Sequence, residues 1–502
     1  MRKRIYMTCL IAAVAHLLVV SGCSRSQKGI VLGHDPVRVF YKAETNSDLL
    51  GAWTVQRIHD DVLLHIDMSD DIGIFGGSQA ENMKNAAQHL AKGDASVIKK
   101  VAPVLERGGV VNLGLMAGFF KKVIWVMPTM SKDGTVSLEE VRRFLIGRRR
   151  YPASMLKSLK QVGTHVEGDI AGVPVTITSL KALDVGSVGT VAVDIDLAYL
   201  QSFKMIDPSY KMGTASALDF LRELAAKNIR TNIVTVNLSN QNGICPLDIR
   251  YFGDLIADVL ASPEMLRDKL SERWTLMMKA EKLLNEGKYE DAAKTYDEIT
   301  NSYPNFAGAF FARAVAEGFA RNGLASRKAL LEAMKLDSGY LSGFFQLARV
   351  LAAQGKVKTG EVIINTPFLE KILPSVELDY HKGIFYMVGS RPIDALDYLK
   401  KVQGARPNDF SLQTVLYRIY NKIGDDRHQI ATLEKMRKID SKRVAREMPW
   451  VYKRLGELYE GKELYDKAVG MYKLFLDSAP EDTSAANVGK RLNELELHLK
   501  GH

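Results

Sequence analysis

Cysteine is scarce in this chain, with three in 502 residues, at positions 9, 23 and 245. So few thiols exclude a disulfide framework, and no Cys/His cluster has the spacing of a zinc site. Apolar runs long enough to cross a bilayer, about 20 residues, are absent beyond the N-terminal segment, which excludes a multi-span membrane protein. Charge of one sign is lacking too. The formal net charge is +10, and removal of Arg2, Lys3 and Arg4 lowers it to +7, a mild excess without the footprint of a nucleic-acid binder. A Gly-x-Ser-x-Gly elbow, a zincin helix and a nucleotide fingerprint are all missing. What is present is 46% hydrophobic and 25% charged residues, the composition of a globular chain. The length exceeds one ordinary core, so roughly two to four domains are expected.

The first 23 residues, MRKRIYMTCLIAAVAHLLVVSGC, set a basic start ahead of an apolar stretch and then small residues. That order is an export signal, and Val-Ser-Gly-Cys resembles the lipobox of bacterial lipoproteins. The resemblance implies a signal peptide over 1–22, lipidation of Cys23 and a linker over 23–29. With Ser24 after the cysteine, it also implies residence at the periplasmic face of the outer membrane. Two or three acyl chains give stable anchoring where one does not. The competing reading is an uncleaved anchor helix with an incidental cysteine. Cys245 then stands alone and is expected to be a buried small apolar residue.

Two textures follow. From about Gly29 to Ala261, short Val- and Ile-rich runs alternate with amphipathic stretches. The runs Ile30–Leu32, Val62–Ile66, Val123–Met127, Val191–Ile195 and Ile233–Leu238 predict strands. Helices are predicted at Glu81–Ala91, Val97–Glu106, Leu138–Ile146, Ala215–Lys227 and Ile249–Leu260. The pattern predicts an α/β domain over 30–262, a mostly parallel sheet with helices on both faces. Beyond about Ser262 the chain reads as continuous helix with a period of 34, seen in Ala280, Ala314 and Ala348 and in the later sets Gly383, Ala395, Pro407 and Gly456, Ala468, Pro480. Segments 286–306 and 459–480 closely resemble tetratricopeptide repeats. About six units are expected over 273–500, an all-α solenoid whose concave face binds a protein or peptide. The second and fifth units are degenerate.

The acids of the first body carry the chemistry. "VLLHIDMSDDIG" (62–73) sets Asp67, Asp70 and Asp71 after a strand, and "TVAVDIDLAYL" (190–200) ends another with Asp194 and Asp196. Acids at i and i+2 of a strand share a face. Like charges gathered there repel, and a hard divalent cation such as Mn²⁺ or Mg²⁺ would relieve them. The alternative is that these acids cap helices or face water. A basic stretch, 141–160, reads as a solvated face, and the two glycines of "FGGSQ" (75–79) do not complete a phosphate loop.

These motifs resemble the arginase–deacetylase superfamily, and more closely an uncharacterised arginase-like family (uncharacterised protein family 0489) over about residues 30–262. "GHDPVRVFYKA" (33–43), "VVNLGLMAGFFKKVIWVMP" (110–128) and "TVNLSNQNGICPLDI" (235–249) add to the match. The resemblance implies metal ligands at His34, Asp67, Asp71, Asp194 and Asp196. It fails at Ser69, where the superfamily has a ligand histidine, and at Ala198, where the close family has an aspartate. His65 is expected behind the ligands, one pleat deeper. A weakened set implies at most one divalent cation, Mn or Mg, and weak or absent hydrolysis. The resulting expectation is a lipid-anchored scaffold with a protein partner on its repeats and no nucleic acid. The runner-up is a Mn-dependent hydrolase of guanidino or amide C–N bonds.

Overall fold

The computed structural model describes residues 29–75, 78–105, 108–147, 151–206, 212–238, 246–268 and 270–500. The signal segment, Cys23 and Cys245 lie outside the described residues. The chain forms two compact units. The first comprises residues up to 211, 216–244 and 253–269, and the second 212–215, 245–252 and 270–502.

The first unit is built on nine strands: β1 (Ile30–Val31), β2 (Phe40–Ala43), β3 (Asp61–Ile66), β4 (Phe120–Val126), β5 (Lys160–Val162), β6 (His165–Ile170), β7 (Val173–Thr178), β8 (Thr190–Asp196) and β9 (Arg230–Asn237). Their order is β1-β9-β8-β3-β4-β7-β6-β5, with β2 also on β9. The run β2, β9, β8, β3, β4, β7 is parallel, while β1, β6 and β5 are antiparallel additions at the edges. The expected mostly parallel sheet is therefore present. Each predicted strand forms, its ends shifted by a few residues. β2, β5, β6 and β7 are not among the predicted strands, and β7 contains Pro174, a residue that strand interiors tolerate poorly. Here Pro174 precedes Val175, the first residue paired with β4, so its missing N–H leaves that ladder intact.

Helices of this unit are α1 (Asn46–Val55), α2 (Ser78–Ala91), α3 (Ile98–Leu105), α4 (Val110–Met116), α5 (Leu138–Gly147), α6 (Leu197–Ile206), α7 (Thr214–Ala225) and α8 (Phe252–Ala261). Strands buried on both faces read as continuous apolar runs, and β3 shows why. Leu63 packs with Trp53, Leu105, Val111, Val123 and Trp125 on one side, while Leu64 and Ile66, of opposite parity, are equally buried. β3 is followed in sequence by β4 on one flank, whereas β8 returns to its other flank. The carboxyl ends of β3 and β8 thus lie at the point where strand order reverses, which is where open α/β sheets place ligands.

The second unit is helical: α9 (Glu272–Asn285), α10 (Tyr289–Ser302), α11 (Ala307–Phe319), α12 (Gly323–Leu336), α13 (Gly343–Ala353), α14 (Val357–Ile364), α15 (Pro367–Ile372), α16 (Ser375–Val388), α17 (Pro392–Ala405), α18 (Phe410–Lys422), α19 (Asp426–Ile439), α20 (Ser441–Glu447), α21 (Trp450–Glu460), α22 (Tyr465–Ser478) and α23 (Ala485–Lys500). They form six hairpins, α9/α10, α11/α12, α13/α14, α16/α17, α18/α19 and α21/α22, the solenoid that the period predicts. The small residues set its spacing. A β-carbon on Gly383 would stand 2.5 Å from Leu399, and one on Gly456 would stand 2.4 Å from the Tyr472 ring. Ala280, Ala314 and Ala348 are fully buried. α15 and α20 are insertions, and α20 displaces the sixth unit from the strict period.

Candidate functional site

The parallel register of the central strands arranges side chains of one sheet face in rows. His65 stands opposite Asp194 on β8 and Trp125 on β4, and Asp194 stands opposite Thr235 on β9. One pleat further, Asp196 stands opposite Asn237, and the β3–β8 register carries Asp67 alongside Asp196. A deep row of Thr235, Asp194, His65 and Trp125 therefore lies beneath an outer row of Asn237, Asp196 and Asp67.

Hydrogen bonds commit the deep row. His65 Nδ1 lies 2.9 Å from Asp194 Oδ2, and the Thr235 hydroxyl donates to Asp194 Oδ1 at 2.7 Å. Both Asp194 oxygens are thus occupied from within the sheet. His65 Nε2 points the other way, 3.5 Å from Asp67 Oδ2. His65 is 1% exposed, Asp67 2% and Asp194 fully buried. Burial opposes a charge on the imidazole, but the Asp194 carboxylate bonded at Nδ1 and the nearby Asp67 carboxylate outweigh it and hold His65 well above its ordinary pKa.

The loop after β3 brings in a third group. Asp71 sits at a left-handed backbone conformation, φ 44°, and its carbonyl accepts the N–H groups of Gly109 and Val111 at the start of α4. A side chain on Gly73 would meet the Gly109 backbone at 2.9 Å, so the loop is pressed against that helix start. This turn delivers the Asp71 carboxylate beside His65 and Asp67, where one ligand atom from each lies within 4.8 Å of the others. Asp70 turns away, accepting from the Tyr151 hydroxyl and the Ile72 N–H.

Of the five residues that the resemblance implies, Asp67 and Asp71 come together with His65. Asp194 lies behind His65 and orients it. Asp196 receives the Ala198 N–H at 2.7 Å and so caps α6. His34 is not part of the cluster. β1 runs antiparallel to β9 and ends opposite Arg230, the first residue of β9, so His34 is exposed at the amino ends of the parallel strands. The acids stand at the carboxyl ends, seven residue steps away along β9, about 23 Å at the usual rise of a strand. Ser69 is half-buried in the same loop as Asp71, and Ala198 is buried in the first turn of α6.

Chemically, His65, Asp67 and Asp71 offer one imidazole nitrogen and two carboxylates. An imidazole whose other nitrogen is held by a carboxylate is the usual posture of a metal-ligating histidine. His65 Nε2 is a buried nitrogen without a well-formed hydrogen bond, which fits a divalent cation.

The second unit presents a different surface. The first helices of four successive hairpins carry Phe345, Tyr380, Tyr417 and Trp450, an aromatic at nearly every repeat. Phe345 stacks on His381 with ring centres 3.8 Å apart, and Tyr417 packs on Trp450 at 5.2 Å. Trp450 is 36% exposed. Burial raises the pKa of both Tyr380 and Tyr417. Arg349 and Arg454 stand on the same set of helices.

No protein-family signature and no curated protein matches this chain. Solved structures similar to it include tetratricopeptide-repeat proteins and a pilus biogenesis factor. YrrB, described as a TPR protein with an unusual peptide-binding site, is 17% identical, covers 39% of this chain and 99% of its own, and has a TM-score of 0.27. PilW, a type IV pilus biogenesis factor, is 13% identical, with 43% and 97% covered and a TM-score of 0.28. The pilF protein of Pseudomonas aeruginosa is 14% identical, with 44% and 97% covered and a TM-score of 0.25.

Proposed function

We propose that this chain is a lipid-anchored envelope scaffold whose repeat array binds a protein partner and whose α/β unit holds a single divalent cation. The observation that carries the binding role is the series Tyr380, Tyr417 and Trp450 on successive first helices, half-buried or exposed, with Phe345 buried at the same place in the preceding hairpin. Tyr, Trp and Arg are the side chains that dominate protein interfaces, because they bring large contact area at low entropic cost. Cys23 is the anchor in this reading, and the tether keeps the array near the membrane surface.

The cation role rests on His65, Asp67 and Asp71, with Asp194 setting the imidazole. Ser69 supplies a poor ligand in place of histidine, and Ala198 supplies none, so a second ion finds too few donors. A bound ion there would polarise a substrate oxygen or a water, while this chain's own residues hold and orient the imidazole. Two-ion hydrolysis needs both positions filled, so a binding or structural role is favoured over C–N bond hydrolysis.

The scaffold reading is tested by quantitative cross-linked capture from envelope extracts with the full chain and two variants, Trp450→Ala and Tyr380→Ala. Partners that depend on the array fall by about tenfold or more in both variants. Capture unchanged by both would overturn the reading. The cation reading is tested by elemental analysis of the purified chain. One equivalent or less of Mn or Mg is expected, lost in Asp67→Asn. Two tightly held ions, with hydrolysis of a guanidino compound, would favour the enzyme instead.

A further inference from the structure

The second unit encloses a cavity of about 120 Å³. Two carboxylates, Asp248 and Glu281, and two phenols, Tyr251 and Tyr296, line it. Phe311 adds an apolar wall, and Asn285 is exposed at its rim. No basic side chain is among the described lining residues.

Glu281 is held by neutral donors. The Thr214 N–H and hydroxyl each reach it at 2.9 Å, and the Tyr251 hydroxyl donates to it as well. The carboxylate is satisfied as an acceptor, yet its charge has no counter-charge on the cavity wall. Burial pushes its pKa up. Tyr296 is the independent sign of a ligand. Its side chain is buried at 1% exposure and its hydroxyl has no hydrogen-bond partner among the described residues. Tyr296 lines the cavity, so its hydroxyl is free to meet a guest there.

The wall narrows the guest. Hard metal ions take six or more oxygen ligands, and an apolar wall at Phe311 cannot supply them. A compact ammonium on an alkyl stem suits the wall better, since its three N–H donors take a carboxylate and a hydroxyl while its methylenes meet the apolar side.

We propose that this cavity binds a primary alkylammonium group, with Glu281 as counter-charge, the Tyr296 hydroxyl accepting one N–H, and Phe311 packing the stem. The group comes from a free small amine or from a lysine side chain of a bound protein. In the second case the site deepens the scaffold reading.

Calorimetric titration of the full chain with n-butylammonium chloride, and separately with Nα-acetyl-lysine amide, tests the proposal. Potassium chloride and n-butanol serve as controls. Saturable binding of at least one amine is expected, weakened about tenfold in Glu281→Gln and roughly threefold in Tyr296→Phe, with both controls inert. Binding of the lysine amide alone points to a partner's lysine, and binding of butylammonium alone points to a free amine. Either supports the site. Binding of neither, binding unchanged in the variants, or equal binding of n-butanol overturns it. Tyr296→Phe keeps the ring and its packing, so it decides the matter even if Glu281→Gln fails to fold. Partner capture is read from the Trp450 and Tyr380 variants, so the amine site and the scaffold reading fail separately.

Discussion

At the residue scale, His65 is the pivot of the acidic cluster because Asp194 fixes one of its nitrogens and leaves the other facing Asp67. Replacing Asp194 with Asn removes that hold, and Mn²⁺ affinity is expected to fall by about 10- to 100-fold, as read by calorimetric titration. Asp67→Asn abolishes binding in the same assay. Ser69→His restores the missing donor type and is expected to raise affinity; if it leaves affinity unchanged, the loop does not aim position 69 at the ion. Asp67 and Asp71 were legible as acids directly after an apolar strand, whereas the i, i+2 pair Asp194 and Asp196 divides between orienting His65 and capping a helix. His65's part was not legible, since its partner depends on the pairing of β3 with β8, a fact of topology rather than of local pattern. Thr235 and Tyr151 carry no sequence signal at all, because each meets an aspartate tens of residues away. The distance of His34 from the acids has the same origin: its motif lies near the strands in sequence, but β1 runs against them.

Glu281 gives a residue-scale test by acidity. Its proton is held more tightly in the folded chain than in the unfolded one, because burial raises its pKa above the ordinary 4.5. The stability it contributes is therefore full below that ordinary value and is lost as pH rises through the raised one. Thermal melts followed by helical circular dichroism from about pH 4 to pH 7 are expected to show this decline. Glu281→Gln flattens it. A decline that persists undiminished in the variant assigns the acidity dependence elsewhere.

At the scale of elements, the repeat period was legible because hairpin packing demands a small residue at one recurring place. Gly456 shows the demand most sharply. In a free helix, exchanging Gly for Ala would stabilise by about 1 kcal/mol, but here the added carbon meets the Tyr472 ring. Gly456→Ala is expected to destabilise the array by about 1–3 kcal/mol, measured as a lower urea midpoint. The irregular units were less legible. In the fifth hairpin neither Leu416 nor Tyr417 is small, and the inserted helices α15 and α20 fall outside any fixed offset. Arg250 is another long-range feature: it is buried, paired through both Nε and a terminal nitrogen with Asp337 at 2.7 Å. The intervening sequence gives no hint of that pairing.

At the scale of the whole molecule, a ligand that binds only the folded α/β unit should raise that unit's melting transition and leave the helical one in place. At a Mn²⁺ concentration one hundred times its dissociation constant, the gain is about 2.7 kcal/mol. Differential scanning calorimetry of the full chain with and without Mn²⁺ checks this, and Asp67→Asn is expected to abolish the shift. Both transitions moving together, or neither, would count against a cation held by the first unit alone.

Tyr251 stacks on Trp274 and abuts Gly308, where even one added carbon would lie 2.3 Å from it. The practical corollary concerns where the solenoid begins. A recombinant fragment cut just ahead of Leu270 would strip away the tyrosine that roofs Trp274 and the threonine that satisfies Glu281, exposing a raw hydrophobic end. Anyone excising the repeats for crystallisation must graft back both the Thr214 segment and the Pro246–Phe252 stretch, or expect clumping.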